Sequence, residues 1–150
     1  MVAFSERQVE LHPYAPQLAL QAYCAAEGIA LQAYASLGGQ DAGKGALTKL
    51  GGALLGRAEV LAIAAKHGGP ASGATPAAVL LKWALQQDIA VIPKSSQPAR
   101  MRENLAACSA DAAWDLDSAD MAALGALDQS ESEESRLCWK SDPLKQLDFD

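Results

Sequence analysis

The chain lacks a surplus of basic residues and any long apolar run. Its 150 residues carry 12 lysines and arginines against 18 acidic residues, which gives a formal net charge of -6. A protein that binds nucleic acid in general needs a basic surplus to neutralise phosphates, so the composition argues against that class of function. No apolar run approaches the roughly 18 residues that a membrane-spanning helix needs, so no membrane association is expected.

Recognisable cysteine patterns and common catalytic motifs are lacking as well. Cys24, Cys108 and Cys138 form no CxxC pair, and none stands at metal-ligand spacing from His12 or His67. GxSxG, P-loop and GxGxxG motifs do not occur. We therefore expect reduced thiols in a cytoplasmic protein without a metal site. The first residues are too short and too polar for a secretory signal, while an upstream plastid address stays open.

What the sequence does contain is an alternation of short apolar runs and helical patterns. Strands are predicted at 8–11, 29–34 and 89–92, and helices at 17–27, 57–67, 75–87 and 117–128. The strand, helix and strand within 8–34 predict a right-handed parallel βαβ unit. The glycine-rich segment 40–56 has no periodicity and is predicted to be a long loop. The pattern therefore predicts one α/β domain with three parallel strands.

The stretch 92–104 combines the features of an anion site at the start of a helix. Pro93 ends the third predicted strand, and Pro98 suits the first turn of a new helix. Lys94, two serines and Arg100 accompany the free N–H groups of that helix start, whose positive dipole end favours an anion. The pattern predicts a phosphate site, and a plain basic helix start at the surface is the alternative.

Three segments, in the right order, resemble aldo-keto reductases, the NADP-dependent barrel oxidoreductases. They are QVELHPY at 8–14, QAYASLG at 32–38 and IPKSSQPARMREN at 92–104. The resemblance implies that residues 1–150 are the C-terminal part of one such domain. The fold expected from it is a partial TIM barrel, made of about the last three of the eight βα units and the tail. The five earlier units would then lie outside this chain.

The resemblance also implies where NADPH would bind. Tyr34 looks like the aromatic residue that stacks on the nicotinamide, and Gln8 looks like the amide partner of its carboxamide. Lys94, Ser95 and Arg100 would hold the 2′-phosphate, and cations at that place favour NADPH over NADH. The implied cofactor-binding residues are Gln8, Tyr34, Ser36, Leu37, Gly38, Lys94, Ser95, Arg100, Glu103 and Asn104.

The remaining cofactor residues have less specific roles. Leu37 and the region of Gly38 would run along the pyrophosphate, and Glu103 and Asn104 would lie near the adenine. The family usually has Ser directly after the stacking Tyr, where this chain has Ala35, so one hydroxyl for the pyrophosphate is missing. Each position also has a plain structural interpretation, as a packed strand end or an exposed helix residue.

The catalytic groups that the resemblance calls for have no match in this sequence. Carbonyl reduction in the family needs a tyrosine proton donor assisted by lysine, histidine and aspartate, which belong to the earlier barrel units. Tyr14, Tyr23, His12 and His67 do not match those motifs and are predicted to be structural or exposed. We therefore name no catalytic residue. Trp139 lies in a tail that resembles the family's C-terminal loop, and it would line the substrate pocket or pack on the barrel rim.

Three interpretations stay open at the level of the sequence. In the first, the chain is a truncated product of an NADPH-dependent aldo-keto reductase that turns a small aldehyde or ketone into an alcohol, inactive alone because it supplies only the cofactor-binding part. In the second, it is a non-catalytic partial barrel that binds a nucleotide or a partner protein. In the third, it is a degenerate relic that never accumulates folded. The exposed edges of a three-stranded sheet would favour self-association.

Overall fold

Three parallel strands form the sheet of the computed structural model, which describes residues 6–38, 53–109, 113–132, 135 and 138. The strands lie in the order β1 (Glu6–Glu10), β2 (Ala30–Tyr34) and β3 (Ala90–Val91). The helices are α1 (Leu18–Glu27), α2 (Ala58–Lys66), α3 (Pro76–Leu85), α4 (Pro98–Ala107) and α5 (Ser118–Gly125). The predicted parallel α/β arrangement is confirmed for these strands, as an open sheet.

Strand β1, helix α1 and strand β2 form the predicted βαβ unit. Gly28 ends α1 in the left-handed conformation, with a φ of 65°, and the chain turns there into β2. In the parallel register, Gln8 lies beside Gln32 and Glu10 lies beside Tyr34. Because side chains alternate along a strand and neighbours in register share a face, these four residues lie on one face of the sheet.

The two faces of the sheet differ in burial. Leu31 and Ala33 are at most 6% exposed, because helices cover their face. On the opposite face, Gln8 and Ala90 are exposed, as is Ile92 just beyond β3. Within the described residues, one face of the sheet is therefore packed and the other is open, except at the end of β1, where Glu10 is buried.

Helix α3 is the most buried helix. Thr75 caps its N-terminus by accepting a hydrogen bond from the N–H of Ala78 at 3.2 Å, and Pro76 takes the first helical position. All residues from 78 to 84 are buried, because α2, α4 and β3 pack against α3 from several sides. The apolar pattern predicted only a stripe of buried residues along this helix.

Lys82 is the charged residue within that buried run. It is 4% exposed, and its ammonium group lies 2.8 Å from the carboxylate of Asp115 and 5.0 Å from the ring centroid of Trp114. A charge is rarely buried unless it is paired, and these two contacts supply the pairing. They also tie the segment before α5 to the core.

Helices α2 and α5 are joined by a polar cluster. Asp117 and Asp120 form a capping box at the start of α5, in which each carboxylate accepts a backbone N–H of the other residue. Lys66 donates to Asp117 at 2.6 Å and to Asp120 at 2.8 Å, and Nε2 of His67 lies 2.7 Å from Asp120. The end of α2 is therefore fixed to the beginning of α5.

The predicted loop 40–56 lies mostly outside the described residues. Its last part contains a short 3-10 turn, Leu54–Gly56, and the side chain of Leu54 is fully buried. A second 3-10 turn, Gly69–Ser72, lies between α2 and α3. None of the helices that the structure describes is long and apolar enough to cross a membrane.

Candidate functional site

A cleft of about 780 Å³ opens at the C-terminal ends of β2 and β3. In open parallel sheets, ligands bind outside the carboxyl ends of the strands, which is where this cleft lies. Its walls come from the turn after β2, the start of α3, the β3–α4 segment and Cys138. Eight predicted cofactor residues line it, namely Tyr34, Ser36, Leu37, Lys94, Ser95, Arg100, Glu103 and Asn104.

The segment between β3 and α4 forms a cationic wall of the cleft. Lys94 and Arg100 are both exposed, so their charges can reach a ligand without rearrangement of the core. The hydroxyl of Ser95 accepts the N–H of Gln97 at 3.2 Å and so shapes the turn that leads into α4. The first turn of α4 contains no acidic residue. Free N–H groups, the positive end of the helix dipole and two cations therefore make this wall electropositive, which favours an anion.

One side of α4 continues the cleft beyond this cationic wall. Arg100, Glu103 and Asn104 are neighbours on the helix surface, because residues three and four apart lie on one side of a helix. Glu103 is exposed, whereas Asn104 is 8% exposed. This side therefore offers hydrogen-bonding groups next to the cations.

The turn after β2 forms the opposite wall. Tyr34 is half-buried, and Ala35 follows it with a φ of 52°, in the left-handed region that favours glycine. This turn buries Ser36, whose hydroxyl donates to the carbonyl of Ala33 at 3.0 Å. The hydroxyl of Ser36 is therefore engaged by the backbone, and a ligand would meet this wall through backbone groups and Leu37.

Two predicted cofactor residues are not among those that line the cleft. Gly38 has a φ of 84°, and a Cβ at this position would lie 2.9 Å from Cδ1 of Leu54, so packing alone requires glycine. Gln8 lies two residues before Glu10, exposed on the open face of β1. Their contacts with a cofactor stay predictions. Trp139, the predicted substrate-pocket residue, lies outside the described residues.

A buried polar cluster that the sequence patterns did not predict lies next to the cleft. Glu10 is 4% exposed and His12 is fully buried, with 3.1 Å between Nε2 of His12 and Oε1 of Glu10. The backbone N–H of Cys138 donates to both carboxylate oxygens of Glu10, at 3.0 and 3.2 Å. The sequence signal for this cluster was the presence of two polar residues, Glu10 and His12, at the end of a strand that enters the core. A carboxylate is seldom buried there unless it is paired.

Tyr14 is buried beside that cluster, with its ring centroid 6.3 Å from that of His12. Burial raises the pKa of its hydroxyl above the ordinary value, and the nearby Arg57 guanidinium acts in the opposite direction without cancelling the effect. Tyr14 is therefore neutral at physiological pH. Within the described part of the chain, no group of three or more histidine, cysteine or acidic side chains is placed to hold a metal ion.

Comparison with known proteins gives a consistent set of relatives. Residues 1–129 match the model of the aldo/keto reductase family. The chain is 39% identical over 131 residues to a probable NAD(P)H-dependent D-xylose reductase of Aspergillus fumigatus, covering 82% of this chain and 37% of that protein. It is 41% identical over 130 residues to the protein of the same name in Arthroderma otae, covering 83% of this chain and 36% of that one. The chain thus spans little more than a third of these curated relatives.

A solved structure shares the fold. It is the crystal structure of a single-residue mutant of Gox0644 in complex with NADPH, with a TM-score of 0.69 and 30% sequence identity. The match covers 91% of this chain and 41% of that chain. The elements described above therefore correspond to less than half of a larger chain.

Proposed function

Because the chain belongs to the aldo/keto reductase family, we propose that residues 1–150 form the C-terminal part of one NADPH-dependent aldo-keto reductase domain. They would supply about the last three βα units of a (β/α)8 barrel and its tail. The complete domain would reduce an aldehyde or ketone to an alcohol. The observation that carries the proposal is the cleft, because eight cofactor residues expected from sequence converge on it from separate segments.

The cationic wall is the proposed binding site of the 2′-phosphate. Lys94 supplies a flexible point charge, and Arg100 supplies a planar group that matches phosphate oxygens. A ribose hydroxyl in the same place would favour an acidic partner, and no acidic residue occupies the first turn of α4. We therefore expect a preference for NADPH over NADH. Glu103 and Asn104 follow on the same side of α4 and would lie beside the adenine.

The nicotinamide half would lie at the other end of the cleft, beside Tyr34. The ring of Tyr34 would stack on the nicotinamide, while Leu37 and the backbone of the turn would run along the pyrophosphate. Gln8 would meet the carboxamide only if the cofactor extends over the open face of the sheet. Bound NADPH would supply the hydride, and the proton would come from a side chain of the earlier barrel units.

Cofactor titration of single variants tests the proposal. We expect Lys94→Ala and Arg100→Ala each to raise the Kd for NADPH by about tenfold, since each removes a charge-assisted hydrogen bond. The Kd for NADH should change much less. Arg102→Ala is the matched control, because Arg102 is exposed on the same helix and does not line the cleft.

Two outcomes would contradict these assignments. If Lys94→Ala and Arg100→Ala raised the Kd values for NADPH and NADH equally, the assignment of the 2′-phosphate site would be refuted. Absence of NADPH binding by the unmodified chain would refute its role as the cofactor-binding part.

A second candidate function is nucleotide binding without catalysis. It is favoured by the composition of the cleft, which gathers the cofactor residues while no side chain of this chain matches the catalytic groups of the family. Reduction of an aldehyde panel by a protein in which earlier barrel units precede this chain, followed by NADPH absorbance, separates the two. Reduction would support the first proposal, and NADPH binding without reduction would support the second. Turnover by the 150-residue chain alone would contradict both, because the chain would then have its own proton donor.

A further inference from the structure

Glu10 carries a buried carboxyl group that is hydrogen-bonded to its near neighbour His12 and to Cys138, 128 positions further along the chain. Burial of a charge is expensive unless it is paired and hydrogen-bonded. His12 supplies one partner through Nε2, and its other ring nitrogen has no partner among the described residues. The backbone N–H of Cys138 supplies the other and is shared between both carboxylate oxygens. The backbone N–H of Cys138 donates to Glu10, and the contact with His12 joins Nε2 of the ring to Oε1 of the carboxyl group.

A second hydrogen bond near Glu10 involves Tyr14 and a residue that follows α5. The backbone N–H of Gln129 donates to the carbonyl of Tyr14 at 3.0 Å. Between the two attachments, Ser135 is 2% exposed. Gln129 and Cys138, which both follow α5 in the sequence, are thus each hydrogen-bonded to residues 10–14, at the C-terminal end of β1.

Cys138 also lines the cleft, which links this attachment to the proposed site. Glu10 lies directly beside Tyr34 in the parallel register of β1 and β2. The carboxylate therefore stands between the wall formed by Cys138 and the strand that carries Tyr34. A shift of the segment at Cys138 would change the cleft at its Tyr34 end and leave the cationic wall at Lys94 and Arg100 unchanged.

We propose that Glu10 is a positioning residue of the cleft: its carboxylate, held by His12, fixes the segment at Cys138 as the wall next to Tyr34. The inference rests on the proposed function only in taking the cleft to be the cofactor site. A role in general stability alone would not predict an effect confined to this wall.

Hydrogen exchange of the Cys138 amide in variants of the 150-residue chain tests the attachment, because this amide donates to Glu10. We expect Glu10→Ala to raise the exchange rate of this amide by about tenfold, since its hydrogen bond to the carboxyl group is lost. Glu10→Gln keeps an acceptor oxygen and should restore most of the protection. The matched control is Glu6→Ala, an exposed carboxylate on the same strand and face. Exchange in Glu10→Ala at the rate of the unmodified chain would overturn the proposal.

Hydrogen exchange of the Cys138 amide provides a test that needs no variant. We expect this amide to exchange at least about tenfold more slowly than in an unfolded chain, because it donates to Glu10. Exchange at the unfolded rate would overturn the proposal even if Glu10→Ala failed to fold.

Cofactor titration separates this inference from the proposed function. Glu10→Ala should raise the Kd values for NADPH and NADH by the same factor of about three to ten. The reason is that the substitution alters the Tyr34 end of the cleft and not the 2′-phosphate site. A change in the ratio of the two Kd values would overturn the positioning role. If the unmodified chain binds neither cofactor while Glu10→Ala still speeds exchange of the Cys138 amide, the proposed function fails and the attachment stands.

Discussion

Two residues of the turn that borders the cleft hold left-handed backbone conformations. Ala35 has a φ of 52° and Gly38 a φ of 84°, and the N–H of Gly38 donates to the carbonyl of Ala35 at 2.7 Å. A non-glycine residue in this region costs about 1–3 kcal/mol and persists only where its surroundings stabilise it. The hydrogen bonds made by Ser36 and Gly38 supply that stabilisation. The shape of the wall beside Tyr34 is therefore set by these backbone conformations and hydrogen bonds.

Gly38→Ala should destabilise the chain more than Gly28→Ala. Both glycines are left-handed, but an added Cβ at Gly38 meets the side chain of Leu54 at 2.9 Å, whereas nothing lies within 4 Å of one at Gly28. We expect the free energy of unfolding to fall by about 1 kcal/mol at Gly28 and by about 2–4 kcal/mol at Gly38. Urea unfolding of both variants measures the difference. Equal losses would mean that Leu54 moves aside without cost.

Among the elements, the junction of α2 and α5 depends on ionised carboxylates. The ammonium of Lys66, followed by the backbone N–H of Asp120, holds the pKa of Asp117 at about 2, below its usual 3.8. For Asp120, burial acts to raise the pKa, but the hydrogen bonds from Lys66, His67 and the Asp117 backbone outweigh it, so its pKa is also lowered. Both groups therefore release their protons more readily in the folded chain.

Stability should fall in acid because of this junction. A carboxylate whose pKa is lowered by folding stabilises the chain fully above about pH 4, and this contribution is lost as the pH falls towards about 2. Asp117→Asn keeps a good N-cap but removes the charge. We therefore expect the Tm of this variant to fall less between those pH values than the Tm of the unmodified chain. Asp88→Asn, an exposed control at the end of α3, should show the full fall in Tm. If the Tm of Asp117→Asn fell as much as that of the unmodified chain, the role of this pair would be contradicted.

The sequence predicted every strand and helix of the described part, but not what surrounds them. Local patterns such as Thr75-Pro76 before α3 and Pro98 in α4 mark helix starts through the chemistry of a few neighbouring residues. Burial of Lys82 depends on Asp115 and Trp114, which lie some thirty positions further along the chain. Periodicity records only which side of an element is apolar, so it cannot report such partners.

The candidate site likewise has parts that local sequence patterns predict and parts that they do not. Lys94 and Arg100 could be found because they adjoin one helix start, and both line the cleft. The contact between Glu10 and Cys138 joins residues 128 positions apart and has no local signature. The resemblance to a family supplied Gln8 as well, and only the structure shows that it lies outside the cleft wall on the open face of β1.

For the whole molecule, the open sheet is the dominant feature. Strand β1 pairs only with β2 within the described residues, so its outer edge carries backbone groups that can accept another strand. The N–H of Leu11 points to β2, where it donates to the carbonyl of Tyr34. Because strand residues alternate, the N–H of Gln8 points to the outer edge. Together with the open face, this edge favours association of the isolated chain.

Gln8→Pro should weaken that association. Proline removes an N–H that points away from β2 and so leaves the pairing of β1 with β2 in place. We expect the chain to self-associate with rising concentration and Gln8→Pro to reduce the association constant several-fold, about the effect of one hydrogen bond. Sedimentation velocity over a range of concentrations measures it, with Gln8→Ala as the control that keeps the N–H. A chain that stays monomeric at high concentration would refute the prediction.

The attachment of Cys138 to Glu10 has a further consequence when the protein is made. A ribosome releases the N-terminal residues first, so the carboxylate of Glu10 leaves the exit tunnel 128 residues before the N–H that it binds. Until then the end of β1 keeps its charge in water, and the wall beside Tyr34 is incomplete. The nascent chain can therefore acquire its cationic wall, at Lys94 and Arg100, before the opposite end of the cleft is finished.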